Sequence, residues 1–191
     1  MRIQDLQLQS QLPRAYGVQP IASHLRSAAV LLPLVPQDDE DHILFTVRTQ
    51  TLRKHKGQIA FPGGKQDPED ESLADTALRE THEEIGIAPQ DIDVLGALPP
   101  FPTHTGFFIY PYVGRIPWPI ALQPEPAEID EVFQVPISHL LQPDIYRLEQ
   151  RIVAQKDYPV HFYQYQHYTI WGITAHILHD FLARVQHLPR G

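Results

Sequence analysis

The sequence predicts an α/β fold, an α/β/α sandwich around a mixed β-sheet. Short apolar runs bounded by turn residues recur along the chain as strand signals. Residues 72–85 carry a helical period, and residues 171–185 form a second helical segment. Strands flanked by two substantial helices suit a sheet covered on both faces. A length of 191 residues with 42% hydrophobic content fits one domain, 1–191, and no repeat or low-complexity linker interrupts it.

Taken in order, residues 3–9 read as a short amphipathic helix, followed by a Pro- and Gly-containing connection; together they make up an N-terminal unit, 1–26. Residues 27–35 and 42–48 read as strands, and the charge run QDDED at 37–41 as the solvated hairpin turn between them. A short strand at 58–61 feeds a glycine loop. The helix at 72–85 follows, with Asp70, Glu71 and Ser72 offering N-cap chemistry and Gly86 a left-handed end. Strands are expected at 92–98 and 106–116, with PPFPTHTG between them as a long loop of the kind that carries function. A strand at 131–135, a short helix at 137–141, a hairpin from 146–153 and 159–165, and the helix at 171–185 complete the chain. Trp171 reads as a core aromatic anchoring that last helix.

Composition excludes several classes. With no cysteine, neither a disulfide framework nor a thiolate nucleophile is available, which fits a cytoplasmic enzyme. The N-terminus lacks the apolar core of a signal peptide, and no stretch approaches the ~20 apolar residues needed to cross a bilayer. A formal net charge of −8 argues against general nucleic-acid binding. Eleven histidines are spread along the chain without an HExxH pair, and read mostly as surface residues. The absence of a GxSxG sequence leaves acyl transfer without support.

Two segments carry chemistry. In the first, residues 63–87, GGKQDPEDESLADTALRETHEEIGI, Glu80, Glu83 and Glu84 share one side of a helix at i, i+3 and i+4, while Ala74, Leu78, Thr81 and Ile85 supply the stripe on the opposite side. Carboxylates held together raise one another's pKa unless a cation sits between them, and oxygen-only ligands favour a hard ion, Mg²⁺ or Mn²⁺. In the second segment, Arg48, Arg53, Lys54, His55 and Lys56 concentrate positive charge on an acidic chain, where a polyphosphate would bind through charge-assisted hydrogen bonds. His55 is the histidine placed to meet a phosphate.

The loop, helix and loop at 63–87, with REXXEEXG inside it, resembles the signature of the Nudix hydrolases, which hydrolyse a nucleoside diphosphate linked to another moiety. The run LFTVRTQTLRKHKGQIAFPGG is similar to the motif of the coenzyme A pyrophosphatase branch, with Leu44, Thr46, Arg48, Arg53, Gly57 and residues 61–64 in register. Phe45 and Thr49 depart mildly from it. The spacing from Gly64 to Arg79 carries one residue more than the Nudix pattern, which makes Glu71 the equivalent of the early glutamate if the insertion lies in the loop. Further likeness is found at 102–107, at 131–136 and at 170–175.

What the resemblance implies is a Nudix-type fold and a metal-dependent diphosphate hydrolase. Glu80, Glu83 and Glu84 would be the metal ligands, with Glu80 or an acidic residue outside the helix as base. Arg79 would orient the carboxylates through an ion pair, for example with Glu71 or Glu83. Glu125, Glu128 and Glu131 are candidates for a further acidic ligand. Arg48, Arg53, Lys54, Gly63, Gly64 and Thr103 would bind substrate. That substrate would be coenzyme A or an acyl derivative, cut to 3′,5′-ADP and a 4′-phosphopantetheine. The same chemistry on NADH, ADP-ribose or a nucleoside triphosphate is the alternative, and a non-catalytic ligand sensor is a third reading. An exposed face of the first helix would allow a homodimer.

Overall fold

The structure is a computed structural model, and it describes residues 2–13, 25–50, 57–153 and 156–186. Its centre is a sheet of eight strands. β1 (Arg26–Gln37) and β2 (Glu40–Arg48) form an antiparallel hairpin in which Gln37 pairs with Glu40. Asp38 and Asp39 close it with positive φ angles of 47° and 61°, the left-handed pair that a two-residue hairpin loop requires. β3 (Ile59–Ala60) pairs with β2, and β4 (Gly63–Lys65) pairs with the start of β1. Beyond β5 (Asp93–Ala97) and β6 (Phe101–Pro102) comes β7 (Phe107–Arg115), which runs parallel to β1 from Arg26 opposite Phe107 to Leu34 opposite Arg115. β5 and β6 pair with β7, and β8 (Ile129–Pro136) with β2, all antiparallel. The sheet is therefore mixed.

Helices cover both faces, and the alternation of side chains along β1 shows how. Ala29, Leu31 and Val35 pack in one core with Ala77 and Ile85 of α2 (Leu73–Ile85). Leu32 and Leu34 point the other way, into a core shared with Leu8 of α1 (Asp5–Gln11) and with Ile177, Leu178 and Phe181 of α4 (Gly172–Val185). A strand buried on both faces reads as a continuous apolar run, as β1 does. Phe45 on β2 stacks between Phe61 and Phe133, with ring centroids 5.1 Å and 5.4 Å away. Side chains of this size contribute about 1.5–3 kcal/mol each on burial. A short helix, α3 (Ile137–Leu140), follows β8.

A second, three-stranded antiparallel sheet lies beside the first in the order β11-β10-β9, from β9 (Tyr146–Val153), β10 (Lys156–Tyr165) and β11 (Tyr168–Trp171). The third strand takes residues that the sequence had assigned to the loop and to the first position of the last helix. Between β10 and α4 lie three imidazoles. His161 and His179 stack at 4.2 Å, His176 lies 5.9 Å from His161, and the hydroxyls of Tyr146 and Tyr163 hydrogen-bond to His161 and His179. Burial, with the neighbouring imidazoles opposing a second charge, holds His161 down to about 4. These three imidazoles pack between the second sheet and the last helix, while His82, His104 and His167 are exposed, as the reading of the histidines as mostly surface residues expects.

Asp41 corrects the sequence reading. The charge run at 37–41 reads as solvated, yet Asp41 is fully buried. Its carboxylate accepts hydrogen bonds from the Ile3 amide at 2.6 Å and from Arg115 Nη1 at 2.9 Å. Arg115 also pairs with Asp5 and donates to the Ile3 carbonyl. This network fastens the N-terminal helix to the sheet. Asp41→Ala leaves Arg115 half-compensated and is expected to cost on the order of 3 kcal/mol, read as a lowered urea midpoint with an unchanged slope.

Candidate active site

Local sequence sets the helix that carries the carboxylates. Ser72 is its N-cap, with Oγ accepting from the Asp75 amide at 3.2 Å, and Gly86 ends it at φ 76°, where its amide reaches the His82 carbonyl. The buried face runs through Thr76, Ala77, Thr81, Glu84 and Ile85. Glu84 thus falls at the edge of the apolar stripe and is only 3% exposed, whereas Glu83 faces solvent. The three helical carboxylates share a side but not an environment.

Arg79 binds the loop to this helix. Its Nε and Nη2 donate to the two oxygens of Asp70 at 2.9 and 3.1 Å, Nη1 donates to Glu80 at 3.1 Å and Glu83 at 3.0 Å, and Nη2 also reaches the Lys65 carbonyl at 3.0 Å. The early acidic partner of Arg79 is therefore Asp70, and Glu71 is exposed. Counting from Arg79 misplaces it by one residue. Asp70 further accepts from the Asp67 amide and the Thr76 hydroxyl, bonds that a side chain one position later could not make from the same turn.

Two glycines allow close approaches here, Gly64 to a carboxylate and Gly63 to the backbone of β1. A Cβ on Gly64 would stand 2.3 Å from the Glu80 carboxylate carbon, and one on Gly63 would stand 2.4 Å from the Ala29 carbonyl oxygen. The Gly63 amide is 3.3 Å from Glu84 Oε2. On the other side, Arg48 at the end of β2 donates to Glu84 Oε1 at 2.9 Å and to Glu128 Oε2 at 3.2 Å. Of the three acidic residues proposed from outside the helix, Glu128 is the one brought to this cluster. Glu125 accepts from the amide of Ala127 in its own turn, and Glu131 accepts from the Tyr168 hydroxyl. Thr103 hydrogen-bonds Thr105 and the backbone of Phe107, closing its loop, while His104 and Thr105 line the adjoining pocket. Arg53, Lys54 and His55 lie outside the described residues.

Burial, reinforced by Glu80 and opposed by Arg48, pushes the Glu84 carboxyl up to about 7. Glu80 is also raised, chiefly by burial, although Arg79 opposes it. Among the described residues no three acidic or histidine side chains converge at ligating distance, and the carboxylates pair with Arg48 and Arg79. The donor set nonetheless fits a hard divalent ion. It consists of oxygen alone, it includes a carboxylate whose burial one arginine does not offset, and Gly64 leaves room beside Glu80. Glu80, Glu83 and Glu84 could hold such an ion, with Glu128 beside them.

A pocket of about 300 Å³ opens from this cluster. Arg48, Gly63, Ile59, Phe61, Trp171, Ile173 and Ile177 are among the residues that line it.

Arg79 holds the Asp70 carboxyl well below the usual carboxylate range. A depressed pKa adds stability above the unfolded value of 3.8, and that stability is lost as the pH falls below it. Asp70→Asn should therefore destabilise the protein at pH 7 by about 1.5–3 kcal/mol. The difference from wild type should narrow progressively in urea unfolding as the pH falls below 3.8, because unfolding then takes up a proton at Asp70 that the folded protein does not bind.

The NUDIX domain family model matches residues 24–156, more than half of the chain. Among its relatives, the uncharacterized Nudix hydrolase NudL of Photorhabdus laumondii is 41% identical over 166 residues, covering 87% of this chain and 88% of that protein. NudL of Enterobacter sp. is 38% identical over 193 residues, covering 99% and 100%. Solved structures with the same fold include the Nudix hydrolase RenU from M. smegmatis (TM-score 0.52, 21% identity, 62% of this chain and 77% of that one). Another is the Ap4A hydrolase of C. elegans in a binary complex (TM-score 0.51, 17% identity, 61% and 84%). On the strength of the matched domain, the NudL relatives and the shared fold, the chain belongs to the Nudix hydrolase family.

Proposed function

We propose that the chain is a divalent-metal-dependent hydrolase of the diphosphate in coenzyme A and its acyl derivatives, releasing 3′,5′-ADP and the matching 4′-phosphopantetheine. The observation that carries this reading is the pocket shared by Arg48, Gly63 and a mostly apolar wall that ends at Trp171. A cation and a glycine backbone beside a mostly apolar wall suit a diphosphate that carries a large organic group. Arg48 stands in the run from Leu44 to Gly64 that resembles the coenzyme A pyrophosphatase motif. The family also acts on other nucleoside diphosphate compounds by resemblance, and product identity separates them.

Each residue then has a role set by its surroundings. A bound Mg²⁺ or Mn²⁺ would supply neutralisation of the diphosphate charge and a more acidic attacking water. Arg48 brings a planar cation to the diphosphate end of the pocket and, through Glu84 and Glu128, ties β2 to the helix and to the turn before β8. Glu84, whose carboxyl burial raises, would be held ionised by a cation bound beside it, which makes it a ligand, with Glu80 or an acidic residue outside the helix as the base. Arg79 holds Glu80 and Glu83 in place by charge-assisted hydrogen bonds. The Gly63 amide points its hydrogen toward Glu84 and fixes that side chain's rotation.

Purified protein is incubated with coenzyme A and Mg²⁺ or Mn²⁺, beside NADH, ADP-ribose and nucleoside triphosphates, and products are identified by mass. Metal-dependent 3′,5′-ADP from coenzyme A is expected. Turnover confined to another compound overturns the substrate assignment. Glu84→Gln is expected to lower kcat by more than about 100-fold, beyond the loss typical of an outer-shell partner, with the melting temperature close to wild type because the buried site accepts a neutral amide. Unimpaired turnover by that variant would remove Glu84 from the mechanism.

A further inference from the structure

Trp171 is not a core residue. It is 40% exposed, it ends β11, and it lines the same pocket as Arg48 and Gly63. Gly172, which follows it at φ 67°, also lines that pocket, and a Cβ there would meet nothing within 4 Å. The chain thus opens onto free space at the mouth of the pocket.

Behind the indole runs a row of arginine and aromatic groups on one face of the second sheet. Phe162 lies parallel to Trp171 within 9°, at a centroid distance of 6.3 Å. The Arg151 guanidinium carbon sits 5.0 Å from the Phe162 centroid and 5.8 Å from that of Trp171, and Arg147 sits 4.5 Å from Phe162. Both arginine side chains are largely exposed, at 62% for Arg147 and 47% for Arg151, and Glu149 between them pairs with both. Two cations against one carboxylate leave the row with a surplus positive charge. The contacts with the aromatic rings and with Glu149 restrict the two guanidinium groups, so less freedom is lost on meeting an oxyanion.

We infer that Trp171 and Arg151 form a recognition site for the phosphorylated nucleoside half of the substrate, with the base against the exposed indole and a ribose phosphate monoester on Arg151. An exposed indole at a pocket mouth is a surface on which a nucleobase stacks, and stacking of this kind is indifferent to the base. The guanidinium beside it supplies what stacking does not, a preference for an additional phosphate outside the diphosphate that is cut. The substrate class assigned by the surface is a nucleoside diphosphate derivative that bears a further monoester on its ribose. The site rests on the reading of the chain as a coenzyme A diphosphate hydrolase, because coenzyme A carries such a monoester at its 3′ position.

Equilibrium binding by calorimetry tests the site without depending on turnover. Wild-type protein is titrated with 3′,5′-ADP and with 5′-AMP, which differ only in the ribose phosphate, and so are Arg151→Gln, Arg151→Lys and Trp171→Leu. Wild type should bind 3′,5′-ADP about 10-fold more tightly, a ratio typical of one charge-assisted contact. Arg151→Gln should erase that ratio while leaving 5′-AMP affinity unchanged, and Arg151→Lys should retain part of it. Trp171→Leu should weaken both ligands together. Equal wild-type affinities, or a ratio that survives Arg151→Gln, would overturn the inference. Failure of coenzyme A hydrolysis by wild type is read in the separate product assay and would overturn the proposed reaction, not this binding preference.

Discussion

Everything at the candidate site depends on the Arg79 guanidinium. It hydrogen-bonds three carboxylates and a backbone carbonyl at once, two of those carboxylates belong to its own helix, and a fourth, that of Asp67, lies 3.8 Å away. Without a cation at that point, Glu80 and Glu83 would repel each other and Asp70 would be a nearly buried, uncompensated charge. With it, the loop from Gly63 to Ser72 is held against the helix by charge-assisted hydrogen bonds. The same loop is fixed at its other end by β4, whose three residues pair with Ala28, Ala29 and Val30 in the centre of the sheet. The loop is therefore anchored at both ends, by backbone pairing on one side and by a side-chain cation on the other.

A second arginine completes the arrangement from the far side. Arg48 lies at the end of β2, where the pairing with β8 slips between Val47 and Arg48. The irregularity occurs where the strand delivers its side chain between Glu84 and Glu128, as bulges beside active sites commonly do. Glu84 is the more telling partner. It remains raised in pKa even with Arg48 in contact, so burial outweighs the attraction of one cation.

The small second sheet widens what the main sheet begins. Its strand β11 leads directly into α4, and the Thr174 hydroxyl in the first turn of that helix donates to the Ile59 carbonyl on β3 at 2.9 Å. That one bond joins the helix that lines part of the pocket to the strand entering the glycine loop. Behind it, the imidazoles of His161, His176 and His179 pack α4 onto β10. The pocket wall is thus supported by the sheet that carries the exposed arginine row, and the two features share one scaffold.

How much of this was legible in the chain follows from the range of each interaction. The helix from Leu73 to Ile85 is determined by near neighbours: Ser72 at one end, Gly86 at the other, and a 3.6-residue period between them. So is the hairpin at Asp38 and Asp39, and so is the spacing that puts Glu80, Glu83 and Glu84 on one side. The parallel partnership of β1 with β7 joins residues about eighty positions apart, and no local pattern encodes it. Long range also decides between residues of equal chemistry. Asp70 and Glu71 are both acidic neighbours of the helix start, and only the path of the loop selects Asp70 for Arg79. Glu125, Glu128 and Glu131 are alike in sequence, and only the turn before β8 selects Glu128 for Arg48. Asp41 and Trp171 exchange the environments their types suggest, the acid buried and the indole exposed, because burial belongs to the packed layers around a position. The sequence by itself determined the elements and the kind of chemistry they carry; the tertiary structure decided which side chains meet, since charge and burial act across space, not along the chain.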